Sequence, residues 1–485
     1  MKALEQLKEE YINQLLKNHN MTNDSTQKNL FSKEDYERIL DPFFRVIKNN
    51  PDCTIEELRD EMYRVSGLEE SVRHFIRDRK LAPTMSISYG TNNYKETLSI
   101  GNIRSKYYSN SSHTLYDIAS VSKVFTSISI LKLAQLGVIE LNEKIGKYIP
   151  EFENIKDFTI FDLLTFQVPL KSERISKEDD YDSAFDKLKN IEVNSDFNTN
   201  ANPYTDMGAM VLRYVVEKAS NMKLFDFVES YMLKNADMHD TKIVKAKSDF
   251  FIADTNNVYS FYNDGNIGVR NDIKPGIVND EKARVLGQNV GDFAGHSGIF
   301  TSSDNMAKFA HALLNREILY SKVLEDMSIN ETGREIEPGK YRQYLGKLCY
   351  SKNPILENSE VYHPLSGRTF GSGGWTGTQF TLDPINNIFF FMGANRTNNR
   401  AVLLGPEARK NMTEKGLIYT DKDGAELIRL EDGSEIVNAV RFAWDRDEAV
   451  VHPALRLALS YGLLEHIYKE DIKDKSNSYV LNRKI

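Results

Sequence analysis

A serine and a lysine three residues apart on a helix share one face. If the lysine is neutral it can take the serine's proton and turn the hydroxyl into a nucleophile. This spacing occurs four times in the chain, at Ser25/Lys28, Ser120/Lys123, Ser129/Lys132 and Ser220/Lys223. Ser25 lies in a polar linker, Ser129 is enclosed within a helix, and Ser220 sits at a helix end. Ser120 opens the segment SVSKVFTSISILKLAQLG, which is apolar on nearly every side, as buried helices are. Burial and the positive end of the helix dipole both disfavour an ammonium in that first turn, so a neutral Lys123 near pH 7 is expected. The same letters also suit a capping serine followed by a lysine that reaches out to solvent. The pair alone leaves both readings open.

Other chemistries have less support. The chain has no HExxH, CxxC, EF-hand loop or GxxxxGK[ST] loop. Gly295-His296-Ser297-Gly298 begins like a nucleophile elbow, but Ile299 stands where that turn needs glycine. The nine histidines are scattered and read as surface or core residues. Two cysteines, Cys53 and Cys349, make neither a disulfide framework nor a four-cysteine zinc site. A net charge of −8 without a long basic run excludes an electrostatic footprint for nucleic acid. No apolar run approaches the 18 residues of a membrane span, and the charged N-terminus lacks a signal-peptide core. The expectation is a soluble, cytoplasmic protein with no nucleic-acid or membrane partner.

The elements that must hold such a site can be read in outline. The 485 residues are 40% apolar and 27% charged, enough for two or three structural units. Residues 1–66 predict helices, with a cap at Ser32, a capping box at Thr54–Glu57, and Gly67 as a stop. Their apolar stripe of Leu40, Phe43, Phe44, Val46 and Ile47 needs a partner surface. TMSISYG and KETLSIGNI alternate as two strands joined near Thr91-Asn92-Asn93. A helical stretch is expected over about 121–250, then a Gly- and Asp-rich segment over 264–298 and a helix over 304–315. Strands return in QFTLDP and NIFFFMGAN, which suggests an α+β unit with one sheet shared by both ends of the chain. GLIYTDKDGAELIRLEDGSEIVNAV reads as a β-meander turning at Asp423-Gly424 and Asp432-Gly433. The last clear helix is PALRLALSYGLLEHIYKE, and the polar tail from 473 is expected to fray.

Taken in order, DIASVSKVFTSISILKLAQLGVIELNEKIGKYIPEF, FTIFDLLTF, YTDMGAMVLRYVVEKASNMKLFDFV, GHSGIFTSSDNMAKFAHALL and GGWTGTQFTLDPINNIFFFMGANR resemble the serine β-lactamase-like hydrolases. That group spans class C β-lactamases, penicillin-binding peptidases and esterase relatives. The resemblance covers about residues 67–400 and a final helix near 452–470. It implies a β-lactamase/transpeptidase-like α+β fold: an antiparallel sheet flanked by helices, a large helical subdomain and, here, an N-terminal helical extension. The expected organisation is an accessory region 1–66, a hydrolase domain 67–400, and a C-terminal region 401–485 whose last helix packs on the catalytic domain.

The resemblance also implies roles. Ser120 would be the nucleophile and Lys123 its base partner. Tyr204, in Tyr204-Thr205-Asp206 ahead of a helix, would shuttle a proton to the leaving group. Tyr108 and Tyr419 fit the letters of that motif but lie out of order. The third motif falls at Gly371-Ser372-Gly373-Gly374-Trp375, with Ser372 where relatives carry Lys or His. The oxyanion would be held by the backbone N–H of Ser120 and of Trp375, with Gly374, Ser372 and Asp206 completing substrate binding. Losing the basic residue argues against efficient turnover of a substrate that carries a carboxylate. Leu163-Leu164-Thr165-Phe166-Gln167-Val168-Pro169 departs from the usual loop and alters the rim, and 171–200 is expected to form a flap over the cleft. The implied activity is hydrolysis of an ester or amide through an acyl-Ser120 intermediate, with no metal or organic cofactor and no dedicated deacylation glutamate. The alternatives are a D-stereospecific peptidase (a D-aminopeptidase or DD-carboxypeptidase) and a catalytically silent relative that binds a ligand. Expected partners are a small-molecule or peptide substrate, and a second copy of the chain through the N-terminal helices.

Overall fold

The computed structural model describes residues 4–23, 25–103, 109–194, 202–244, 251–354 and 360–481. Its central element is a five-stranded antiparallel sheet in the order Phe370–Gly373, Gln379–Asp383, Ile388–Ala394, Thr84–Thr91, Lys95–Gly101. The expected sharing of one sheet by both ends of the chain is present: Met85 pairs with Ala394 and Thr91 with Ile388. Strand Ile388–Ala394 is buried at every position because both of its faces are covered. The final helix, which starts at His452, lies against strands Thr84–Thr91 and Ile388–Ala394. The sheet also packs against helix Ser303–Leu314.

The helix that carries Lys123, Ser122–Gln135, is buried at 11 positions from Ser122 to Leu133. It packs against helix Met207–Ser220 in the larger of the two main cores. The second core joins Leu40, Phe43 and Phe44 of the N-terminal helices to Ala454, Leu455 and Ala458 of the final helix. The apolar stripe of residues 1–66 thus finds its partner surface within the same chain. The anticipated cap at Ser32 forms as a capping box with Asp35, and the anticipated box forms at Thr54/Glu57.

The structure adds to the sequence reading or departs from it in four places. The stretch 121–250 is not continuously helical: it carries a small two-stranded pairing, Leu170–Lys171 with Glu192–Val193. The anticipated flap includes helix Tyr181–Lys189, whose Tyr181 hydroxyl meets that of Tyr214 at 3.4 Å; residues 195–200 of the segment lie outside the described residues. The β-meander forms, but it belongs to a six-stranded sheet with Arg400–Leu404, Val258–Phe261 and Ile267–Arg270. Arg400–Leu404 pairs parallel with both neighbours, contacts that are far apart in the chain. The final helix continues to Leu481, where a frayed tail was expected from 473. Among the described residues, no helix is long and apolar enough to cross a membrane.

Candidate functional site

Ser120 lies in a tight turn, Ala119–Val121, that runs directly into helix Ser122–Gln135. Ala119 adopts φ 45°, a conformation disfavoured for any residue with a Cβ. Its N–H is fixed by the Asp117 carboxylate, Oδ1 accepting at 2.9 Å, while Oδ2 accepts from the Asn279 N–H at 2.7 Å. Asp117 therefore ties the Ser120 turn to the segment that precedes Asp280. Burial pushes the Asp117 carboxyl up to about 6.

Lys123 is completely buried, and its Nζ lies 2.8 Å from Ser120 Oγ and 2.8 Å from Asp206 Oδ1. It does not reach out to solvent. Nor does its environment favour the neutral form expected from burial and the helix dipole. Burial pulls its pKa down, but the charge of Asp206 and the Tyr204 phenol outweigh that and hold it above the ordinary lysine value. Asp206 in turn is lifted by burial but held well below the usual carboxylate range by Lys123, His296 and Lys282. The resting site thus contains an ammonium–carboxylate pair. Two of the other Ser-x-x-Lys pairs are occupied elsewhere. Ser129 Oγ donates to the Phe125 carbonyl and Lys132 Nζ to the Ile318 carbonyl, while Ser220 and Lys223 bond the Val216 and Val290 carbonyls.

Tyr204 sits just before helix Met207–Ser220, and Lys123 Nζ lies 4.7 Å from its ring centroid. The Phe166 and Tyr350 rings stack on Tyr204 at centroid distances of 5.3 and 5.4 Å. Phe166 adopts φ 57° and is 1% exposed, so the altered rim loop supplies a packed aromatic wall. Of the alternative tyrosines, Tyr419 lies in the meander strand Ile418–Thr420, and Tyr108 lies outside the described residues.

The third motif occupies the edge strand Phe370–Gly373 and the turn that follows it. Ser372 Oγ donates to the Ser120 carbonyl at 3.3 Å. Gly374 donates its N–H to the Thr378 carbonyl at 2.8 Å, so that N–H is taken. The glycine serves close approach: a Cβ there would come within 2.7 Å of the Ile118 carbonyl oxygen and 2.0 Å of Thr378 Oγ1. Trp375 is 46% exposed; the Arg396 guanidinium lies 4.9 Å from its ring centroid and donates Nε–H to its carbonyl.

Four residues of this region were not anticipated. Tyr350 exchanges backbone hydrogen bonds with Gly371 and so enters the site from a segment without a motif. Lys282 Nζ lies 3.1 Å from Asp206 Oδ2 and 3.2 Å from Asp280 Oδ2, and Asp280 Oδ1 lies 3.2 Å from His296 Nε2. Gly295 lets the His296 loop touch helix Met207–Ser220, since a Cβ there would fall 2.3 Å from the Ala209 carbonyl oxygen. Asp206, Asp280 and His296 bring ligand-type atoms within 4.8 Å of one another. The positive charge between the two carboxylates is the chain's own Lys282 ammonium.

This fold matches a known class. The Beta-lactamase family model matches residues 101–411, and the chain belongs to that family. A protein of Salmonella schwarzengrund named "Putative D-alanyl-D-alanine carboxypeptidase" is 26% identical over 332 residues, covering 63% of this chain and 74% of that protein. A class C beta-lactamase structure is similar with TM-score 0.51 at 16% identity, covering 71% of this chain and 92% of that one. An octameric penicillin-binding protein homologue from Pyrococcus abyssi gives TM-score 0.52 at 16% identity, covering 76% of this chain and 86% of that one.

Proposed function

We propose that the protein is a serine hydrolase that cleaves an ester or amide through an acyl-Ser120 intermediate. One observation carries the reading: a fully buried Lys123 Nζ at 2.8 Å from Ser120 Oγ, in the first turn of a buried helix. Because Asp206 keeps Lys123 charged at rest, the reactive form is the minor one with Lys123 neutral. In that form Lys123 accepts the Ser120 proton as Oγ attacks the acyl carbon. Tyr204, in contact with Lys123, then passes a proton to the leaving group. The N–H groups of Ser120 and Trp375 are the proposed oxyanion donors. Water completes the cycle by hydrolysing the acyl-enzyme.

The test is hydrolysis of p-nitrophenyl esters. An initial burst near one equivalent, abolished in Ser120→Ala, supports the reading. Turnover unchanged in Ser120→Ala ends it. A second reading, a D-stereospecific peptidase, is favoured by the name carried by the Salmonella relative. Ser372 in place of a basic residue weighs against it. Faster turnover of D-alanyl peptides than of simple esters would reverse the order of the two.

A further inference from the structure

The Ser120–Lys123–Asp206 arrangement does not end at Asp206. Asp206 uses one carboxylate oxygen for Lys123 and the other for Lys282, and Lys282 is shared with Asp280, which also meets the buried His296. We propose that Lys282 is a positioning residue whose charge, divided between Asp206 and Asp280, sets how strongly Asp206 holds the Lys123 proton and therefore how readily Ser120 is acylated. This rests on the acyl-serine reading above and extends it to a second layer of charge.

The geometry gives each group a definite effect. With Lys282 present, part of the Asp206 charge is neutralised from the far side, and a second cation stands near Lys123. Both effects favour loss of the Lys123 proton. Removing Lys282 leaves Asp206 to Lys123 alone and makes the ammonium harder to discharge. Removing the Asp280 charge frees Lys282 to act on Asp206 and withdraws an anion from the neighbourhood, which moves Lys123 the other way. The position is rigid. Asp280 caps helix Glu281–Leu286, Oδ1 accepting from the Ala283 N–H, and the preceding Asn279 N–H is held by Asp117. Other charged groups facing the same recess are Glu281 beside Lys282, Glu173 and Arg174 on the segment after Leu170–Lys171, and Arg270 on strand Ile267–Arg270. They act equally on the native protein and on the variants below.

The test compares Lys282→Met, Lys282→Arg and Asp280→Asn with the native chain; asparagine retains the helix cap at 280. Fluorophosphonate labelling is followed from pH 6 to 9, with Ser120→Ala as control. Lys282→Met is expected to label about tenfold more slowly, Lys282→Arg at the native rate, and Asp280→Asn faster than native. A gain in rate in Asp280→Asn is not something structural damage produces. Carbon-13 NMR of the lysine Cε reads Lys123 whether or not Ser120 reacts, and its midpoint should rise in Lys282→Met and fall in Asp280→Asn. Lys123 midpoints that stay put, or move in the same direction in both variants, overturn the role of Lys282. Labelling that survives in Ser120→Ala overturns the acyl-serine reading instead.

Discussion

Tyr204 and Tyr350 lie with ring planes 5° from parallel and centroids 5.4 Å apart, so the proposed proton shuttle leans on a residue from a distant segment. Tyr350 is half-buried, and desolvation pushes its phenol well above the ordinary tyrosine value, so it stays neutral and acts as a wall. Tyr204→Phe is expected to lower Ser120 labelling by about 10²–10⁴-fold while the fold survives, the usual effect of losing a general acid–base group. Tyr350→Phe keeps the stacked ring and should label within about twofold of native, whereas Tyr350→Ala should be clearly slower. Equal rates in Tyr350→Phe and Tyr350→Ala would show that the stack does not position Tyr204.

Asp117 makes the stability of the nucleophile turn depend on pH. Its carboxyl is pushed up to about 6 in the folded chain, from an ordinary value of 3.8. A raised carboxylate pKa means the folded state holds the proton more tightly than the unfolded state. The resulting stabilisation is full below about pH 4 and lost as pH rises through 6, a change of about 3 kcal/mol. Asp117→Asn cannot titrate. In denaturant titrations the native chain should lose about that much stability relative to Asp117→Asn between pH 4 and 7. A stability difference independent of pH would contradict the account.

Gly374→Ala tests the close approach of the third motif to the turn that holds Ser120. The added methyl must displace the Thr378 hydroxyl and the Ile118 carbonyl, since it would fall 2.0 and 2.7 Å from their oxygens. The expected result is a loss of about 1–3 kcal/mol and slower labelling, because Ile118 and Ala119 carry the turn that presents Ser120. Native stability together with the native rate would show that this contact is not needed.

Residues 1–66 are proposed to be a packing module without catalytic residues. Tyr11 donates its hydroxyl to the Leu459 carbonyl at 3.0 Å and Tyr36 to the Pro364 carbonyl at 2.6 Å, both buried. Leu40, Phe43 and Phe44 are each 6% exposed or less, and each contributes about 1.5–3 kcal/mol through burial. A chain starting at residue 67 should therefore unfold at lower temperature or aggregate, as read by calorimetry and light scattering. If it keeps the native melting temperature, size and labelling rate, the module has no such role.

The local parts of this protein and the sheet shared by its two ends are legible in its sequence, and most other distant contacts are not. Ser120 and Lys123 stand out because their spacing and the apolar run after them belong to one short segment, a turn that runs straight into a helix. Strands 84–91 and 388–394 were recognisable by composition and turns, although they pair across 300 residues of chain. The charge of Lys123 was misjudged because burial and the helix dipole are local, whereas the Asp206 carboxylate arrives from 83 residues away. His296 was weighed only as part of a failed elbow motif, and Asp280 and Lys282 carry no spacing signal at all. Their meeting depends on Gly295 seating the His296 loop on helix Met207–Ser220 and on Asp117 holding the Asn279 segment beside the Ser120 turn. The six-stranded sheet was missed because Arg400–Leu404 makes only parallel pairings with distant strands.

The most direct test of the central claim is intact-mass and peptide-mass analysis after fluorophosphonate treatment. The account predicts a single adduct on the peptide that contains Ser120, absent in Ser120→Ala and formed about 10²–10⁴-fold more slowly in Lys123→Ala. An adduct on another residue, one that persists in Ser120→Ala, or no adduct on a folded native chain would contradict it.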